Sequence, residues 1–207
     1  MRRGIVVVAA LAIGIVAIAP ARRAALRSVG LLLTASDDPQ PADFLVMDRE
    51  SGTAGVLMVS DLYRAQPHAS VGVFDTRPMK PEAELARRGV VLPDLTRHAL
   101  VQLGVPAGAI VGIAAAEAGT TETAAALAEW ARQQPDKRVL VVVGPSHGRR
   151  YRRALRRVWP DHRTAPLVVT TPHAAFQADN WWQSRTTARE GLVELQKLAL
   201  DFVRHPW

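Results

Sequence analysis

Short apolar segments alternate with helical patterns along most of this chain of 207 residues. One of them, residues 139–143, is an unbroken run of valine and leucine, which is typical of a strand buried on both faces of a sheet. The predicted strands cover residues 44–47, 70–74, 110–114, 138–143 and 167–170. Strands that alternate with helices favour a parallel α/β sheet joined by right-handed crossovers.

Helical periodicity occupies the segments between these strands. The predicted helices cover residues 53–66, 81–103, 121–134, 151–159 and 187–203, and the second is interrupted near Gly89 and Pro93. We therefore expect one α/β domain over residues 43–207, with a Rossmann-like three-layer fold and a mainly parallel sheet.

The composition excludes several classes of protein and site. Hydrophobic residues make up 48% of the chain and charged residues 22%, close to the average of a globular domain and unlike a disordered chain or a long coiled coil. Cysteine is absent, which excludes disulfides, zinc knuckles, iron–sulfur sites and thiol nucleophiles. The sequence indicates no metal site and identifies no cofactor.

The net charge of +7 is concentrated at the start of the chain. Residues 1–27 contain five arginines and no acidic residue, and the rest of the chain has 21 basic and 19 acidic residues. Charge that flanks an apolar segment indicates membrane topology rather than a nucleic-acid surface. We therefore expect no nucleic-acid partner.

Residues 4–21 form an apolar segment of 18 residues without a charge, close to the roughly 20 residues that a membrane-spanning helix needs. An uncleaved signal anchor over residues 1–27 is the favoured interpretation, which predicts a single-pass protein of the cell membrane. The alternatives are a cleaved signal peptide, with Ala19-Pro20-Ala21 as its cleavage site, and a buried core helix. Residues 28–42, with Asp37-Asp38-Pro39-Gln40-Pro41, are predicted to be a linker.

The segment Gly144-Pro145-Ser146-His147-Gly148-Arg149-Arg150 follows the fourth predicted strand and begins a helix. Ligands of open α/β sheets bind outside the carboxyl ends of the strands, and amide groups at a helix N-terminus favour an anion. Ser146, His147, Arg149 and Arg150 are therefore candidate ligands of a phosphate or carboxylate. A helix cap followed by a solvated first turn is the alternative.

The same segment matches the G-x-S-x-G nucleophile elbow of serine hydrolases, with Ser146 as the nucleophile. An acid and a histidine would have to follow it in the chain, and Asp161 or Asp179 with His173 or His205 are the candidates. Because only about one strand is predicted after Ser146, this interpretation is disfavoured.

Thr120-Thr121-Glu122 stands at the start of the helix that follows the third strand. Its ordinary role is an N-terminal cap, with Glu122 favoured by the helix dipole. The alternative is that Glu122 faces His147 across the cleft as an acid or base.

The predicted helix 151–159 carries arginines on the face opposite its apolar stripe. A solvated surface face is the default interpretation, and contact with anionic lipid head groups is the alternative.

Taken together, these motifs resemble the YdcF/SanA/ElyC-like family of bacterial envelope-associated proteins over residues 43–202. The residues that carry the resemblance, in chain order, are Leu62-Tyr63, Gly104-Val105-Pro106 with Ile110, Thr120 and Glu122, His147 with Arg149 and Arg150, and Trp181-Trp182 with Glu194 and Lys197. The resemblance implies an extracytoplasmic domain in the cell envelope. It also implies a phosphorylated envelope precursor as ligand, held by His147, Arg149 and Arg150, with Thr120 nearby and Glu122 as general base or as the group that orients His147.

The chain departs from this family where the first three strands end. Met47-Asp48-Arg49 and Phe74-Asp75-Thr76 replace glycine-rich turns, and Glu117, Gly119 and Thr123 replace a serine and two asparagines. Side chains at such turns crowd a phosphate, and we expect Asp48, Asp75 and Glu117 to repel one. A non-catalytic interaction module with drifted ligand loops is therefore the alternative function.

Overall fold

A computed structural model describes residues 2–76, 78–115, 119–159, 161 and 165–206, without the side chains of residues 2–17 and 76. Five strands form one sheet in the order β3-β2-β1-β4-β5, and every neighbouring pair is parallel. The strands are β1 (Phe44–Met47), β2 (Ser70–Thr76), β3 (Ile110–Ala115), β4 (Val139–Val143) and β5 (Leu167–Thr170). The predicted parallel α/β sheet is confirmed, and all five strands occur where we expected them.

Seven helices surround this sheet in the described part of the chain. They are α1 (Arg2–Leu33), α2 (Gly52–Ala65), α3 (Lys80–Arg87), α4 (Leu95–Gln102), α5 (Thr120–Arg132), α6 (Gly148–Val158) and α7 (Arg185–Arg204). The predicted interruption near Gly89 and Pro93 separates α3 from α4. Gly89 has a φ of 82°, a conformation that glycine adopts without strain.

The alternation of side chains along β1 divides the core into two halves. Phe44 and Val46 pack in one apolar cluster with α5 and α6, whereas Leu45 and Met47 pack in the other with α2 and α4. This alternation follows from the two-residue period of a strand. The domain therefore has three layers, as predicted, with the central strands β1 and β4 buried along their full length.

Helix α1 extends well beyond the apolar segment 4–21. For most of that segment the structure describes the backbone without the side chains. Among the residues whose side chains the structure describes, no helix combines the length and apolar character that crossing a membrane requires.

The last turns of α1 pack against the domain. Leu33 is buried in an apolar cluster with Phe176, Trp181 and Leu198. The indole Nε1 of Trp181 donates a hydrogen bond of 2.9 Å to the carbonyl oxygen of Leu26. Residues 28–33, which we expected to begin the linker, are therefore part of a docked helix.

The rest of the predicted linker runs beside the edge strand β5. The amide of Asp37 donates to the carbonyl of Val168 at 2.7 Å, and the Asp37 carboxylate accepts from the amide of Val168 at 2.9 Å. The hydroxyl of Ser36 accepts from the amide of Thr170 at 3.1 Å. These bonds satisfy backbone groups that an edge strand would otherwise leave unpaired, and they hold the segment against the sheet.

We predict that Leu33→Ala lowers the free energy of unfolding by about 2–5 kcal/mol, because it removes a buried leucine side chain from the contact between α1 and the domain. Leu31→Ala is the matched control on the same helix. Leu31 is 52% exposed and Leu33 only 1%, so the control should change stability by no more than about 0.5 kcal/mol. Chemical denaturation of the full chain in mild detergent measures both, and equal effects would contradict the docking of α1.

Candidate functional site

The site lies at the carboxyl edge of the sheet, between the central strands β1 and β4. The strand order reverses between these neighbours, and this reversal opens the crevice in which α/β proteins bind ligands. Asp48 follows β1 directly, and Gly144 follows β4. Short 3₁₀ turns, Arg49–Ser51 and Pro145–His147, then place polar side chains on both sides of the crevice.

A buried histidine–carboxylate pair occupies the centre of this crevice. The Nε2 of His147 lies 2.8 Å from the Oδ2 of Asp48, and the two side chains are only 4% and 3% exposed. The same Asp48 oxygen accepts a hydrogen bond of 3.1 Å from the amide of Glu50. On the other side of the ring, the Nδ1 of His147 lies 3.8 Å from the Glu50 carboxylate.

These contacts favour the protonated form of the imidazole. Burial alone would lower the pKa of His147, but the hydrogen bond and the charge of Asp48, together with the charges of Glu50 and Glu194, raise that pKa above its ordinary value. His147 is therefore suited to hold a proton close to neutral pH.

Arg150 connects this pair to helices α5 and α7. Its guanidinium group donates to Glu194 at 2.9 Å, to the hydroxyl of Thr120, and to Glu50 at 3.5 Å. Lys197 donates to the other oxygen of Glu194 at 2.7 Å. Burial would raise the pKa of Glu194, but these hydrogen bonds from Arg150 and Lys197 lower it, so Glu194 is held as a carboxylate.

A cleft of about 210 Å³ opens beside Arg150, between the N-terminus of α5 and helices α6 and α7. The basic residues that line it are Arg150, Arg157, Lys197 and Arg204, with His205, and the acidic one is Asp201. Thr120 and Thr121 line its floor at the first turn of α5. The cleft therefore combines a helix N-terminus, hydroxyl groups and an excess of positive charge.

The structure brings Thr120, His147 and Arg150 together but places two other predicted residues elsewhere. Glu122 is exposed, and its carboxylate lies beside the backbone of Gly119, at the start of its own helix. The Nε of Arg149 donates to the carbonyl oxygen of Leu32 at the end of α1. Asp48 is thus the group that orients His147, a role we expected of Glu122.

The N-terminus of α6 is covered by the chain segment that follows α1. A methyl group added at Gly148 would lie 2.9 Å from the carbonyl oxygen of Ala35. Ser146 is buried beside it, with 3% exposure. The backbone at Ala35 therefore packs closely against the start of α6, whereas the cleft beside Arg150 lies at the start of α5.

Two of the groups that a serine hydrolase would need are engaged with other partners. Asp179 pairs with Arg27 at 2.7 Å, and His173 lies 3.1 Å from Asp61. A triad built on the nucleophile elbow needs an acid and a histidine that both follow Ser146 in the chain. Arg27 and Asp61 precede Ser146, so neither contact is part of such a triad.

The arginine face of α6 is largely an interface within the domain. Arg153 and Arg157 both bind Asp201 of α7, at 2.7 and 2.8 Å, and Arg152 binds Asp37 at 2.9 Å. Our expectation of a solvated face is therefore wrong for these three arginines. They hold α7 and the segment after α1 against α6.

The acidic residues at the strand ends are neutralised rather than left to repel an anion. Asp48 is paired with His147, and Asp75 with Arg97. Glu117 lies outside the described residues. Within the described residues, no group of three or more histidine and acidic side chains is arranged to hold a metal ion.

Asp48 was expected at this edge of the sheet, but as a side chain that repels phosphate. No sequence pattern indicated that Glu50, Arg157 and Arg204 belong to this site. Asp48 and His147 both follow predicted strands, and this could have suggested their pairing if the order of the strands had been known. On α7, the family resemblance indicated Glu194 and Lys197 but not Asp201 or Arg204.

No family model matches the chain, and no curated protein is significantly similar to it.

We predict that the stabilising contribution of His147 decreases as the pH rises. The pKa of His147 is raised in the folded state, so its contribution is complete below the unfolded value of about 6.5 and is lost as the pH rises through the folded value. The stability difference between wild type and His147→Asn should therefore be larger at pH 5.5 than at pH 9. Denaturation at both pH values measures it, and a difference of equal size at the two values would contradict the raised pKa of His147.

Proposed function

We propose that this chain is a membrane-anchored, YdcF/SanA/ElyC-like protein of the bacterial cell envelope whose α/β domain binds a phosphorylated small molecule. The ligand's phosphate occupies the cleft between α5, α6 and α7. A phosphorylated envelope precursor is the ligand class that the sequence resemblance implies.

The charge of the cleft is the observation that carries this proposal. Four arginine and lysine side chains line it, against one aspartate. Asp201 is bound by Arg153 and Arg157, and Glu194 is bound by Arg150 and Lys197. Each of these carboxylates is therefore shared by two cations, and Arg204 adds a further positive charge to the cleft. A phosphate group in this position gains charge-assisted hydrogen bonds, which are stronger than those between neutral groups.

The first turn of α5 adds neutral donors to this charge. Thr120 and Thr121 line the cleft, and the free amide groups of a helix N-terminus point toward an anion. The volume of about 210 Å³ is below the roughly 300–1,000 Å³ of pockets that enclose a whole drug-sized ligand. The cleft therefore holds the phosphorylated end of a molecule whose remainder lies outside.

His147 positions Arg150 rather than contacting the ligand. The imidazole is held by Asp48, and Glu50 lies between it and Arg150, within 3.8 Å of the first and 3.5 Å of the second. Because His147 is only 4% exposed and the cleft is lined by Arg150 instead, His147→Asn should weaken the binding of pyrophosphate by loosening Arg150, and calorimetric titration measures this change.

The anchor in this proposal is the uncharged segment 4–21, which makes the protein single-pass with an extracytoplasmic domain. Retention of the full chain in vesicles after an alkaline carbonate wash tests the anchor separately from the ligand.

We predict that pyrophosphate raises the melting temperature of the full chain, and that the double variant Lys197→Gln with Arg204→Gln abolishes most of the shift. Each removed charge–phosphate contact is worth about 1.5–3 kcal/mol, so the affinity should fall at least tenfold. Arg132→Gln is the control, because Arg132 pairs with Glu129 on the exposed side of α5. Calorimetric titration measures the affinities.

Absence of a shift with pyrophosphate, nucleotides and nucleotide-sugars, in a chain that still folds, would contradict ligand binding. The non-catalytic interaction module would then be the better-supported function.

A further inference from the structure

We propose that the domain rests directly on the membrane surface and binds anionic lipid head groups through the start of α7 and the adjoining turn of α1. This inference rests on the proposed membrane anchor. The lipid-binding face consists of Arg22 and Arg23 of α1 together with Trp182, Arg185 and Arg189.

The docking of α1 limits how far the domain can lie from a bilayer. The apolar segment ends at Ala21, and the first docking contact, from the indole of Trp181, is made to the carbonyl oxygen of Leu26. Five residues of helix span only about 7.5 Å. Because Ala21 and Leu26 both follow Pro20 in the chain, a bend at that proline does not change this distance.

A head-group layer is about as thick as this separation. The hydrocarbon core of a bilayer measures about 30 Å and the whole bilayer about 40–45 Å, which leaves roughly 5–8 Å for each head-group layer. A domain that contacts α1 from Leu26 onward therefore touches that layer.

The docking contacts also prevent the domain from moving away on a flexible tether. Arg27 pairs with Asp179 at 2.7 Å, and Gly30 lies against the backbone of Ala178 with no room for a side chain. Leu33 is buried, and Asp37 is hydrogen-bonded to β5. The chain from Leu26 to Asp37 is thus fixed to the domain.

Toward the apolar end of α1, its contacts move along the chain toward the start of α7. Gly30 lies against Ala178, Arg27 pairs with Asp179, and the carbonyl of Leu26 accepts from Trp181. Along α6, Arg150 contacts Glu194 and Arg153 contacts Asp201, so the two helices run in the same direction. Because α6 begins at the carboxyl edge of the sheet, the turns of α7 that precede Glu194 lie beyond that edge. They follow Trp182, which packs in the same apolar cluster as Leu26 and Val29.

The side chains on this face suit an anionic lipid surface. Arg22, Arg23, Arg185 and Arg189 are all exposed, and Glu190 is the acidic neighbour in the first turns of α7. Arginines close to an anionic membrane strengthen its attraction, and tryptophan is enriched where head groups meet the hydrocarbon core. The carboxyl edge of the sheet, which holds the site, therefore faces the bilayer.

Because the chain contains no cysteine, a fluorophore can be attached at a single introduced one. Thr186→Cys places the label on the exposed first turn of α7, and Gln133→Cys places it at the end of α5, near the opposite edge of the sheet. Each labelled full chain is reconstituted in vesicles of phosphatidylcholine with 30% phosphatidylglycerol. The vesicles contain a lipid whose head group carries a nitroxide quencher.

We expect at least threefold stronger quenching at position 186 than at position 133. Arg185→Gln with Arg189→Gln should reduce the quenching in phosphatidylglycerol vesicles, whereas Arg132→Gln should leave it unchanged. In a chain that retains Arg185 and Arg189, quenching at position 186 should be weaker in pure phosphatidylcholine vesicles, because these contain no anionic lipid.

Equal quenching at the two positions, in a chain that remains in the vesicles after an alkaline carbonate wash, would overturn the lipid-binding face and leave the anchor intact. Release of the chain by that wash would overturn both. Quenching at position 186 that does not respond to phosphatidylglycerol or to the arginine variants would overturn the recognition of anionic lipid.

Discussion

The hydrogen bond between Asp48 and His147 joins the ends of the two central strands, and the site depends on it. A buried carboxylate is costly unless it is paired, and His147 is the partner that the neighbouring strand supplies. Through Glu50 the pair contacts Arg150, and through Arg150 it reaches Glu194 of α7. One continuous polar network thus connects β1, β4, α6 and α7 at the edge where the ligand is proposed to bind.

The docking of α1 is the second constraint, and it acts on the same region. The carbonyl of Leu32 accepts from Arg149, and the backbone at Ala35 covers the start of α6. The C-terminus of α1, which is the negative end of its dipole, therefore lies beside the positive N-terminus of α6, and the helix dipoles favour this arrangement. The segment predicted to be a linker instead packs against the start of α6, while the cleft at the start of α5 is lined by other residues.

Hydrophobic periodicity predicted the sheet and its helices because each element follows from residues close together in the chain. Strands 44–47 and 167–170 were predicted with the bounds that the structure has. The pairing of Asp48 with His147 spans 99 positions, and it depends on β1 and β4 being neighbours, which no local pattern reveals. The arginine face of α6 was predicted to be solvated for the same reason. Its contacts with Asp201 form only when α7 packs against α6.

The acidic side chain at the end of β1 is built into the site rather than merely obstructing it. Drifted ligand loops would leave charges unpaired or turned to solvent, but Asp48 is buried against His147, and Glu194 is held between Arg150 and Lys197. Because Glu194 fixes both cations before any ligand arrives, less conformational entropy is lost when a phosphate binds. A phosphate bound at α5 would meet donors that are already in position, and this supports the proposed phosphate ligand over the non-catalytic interaction module.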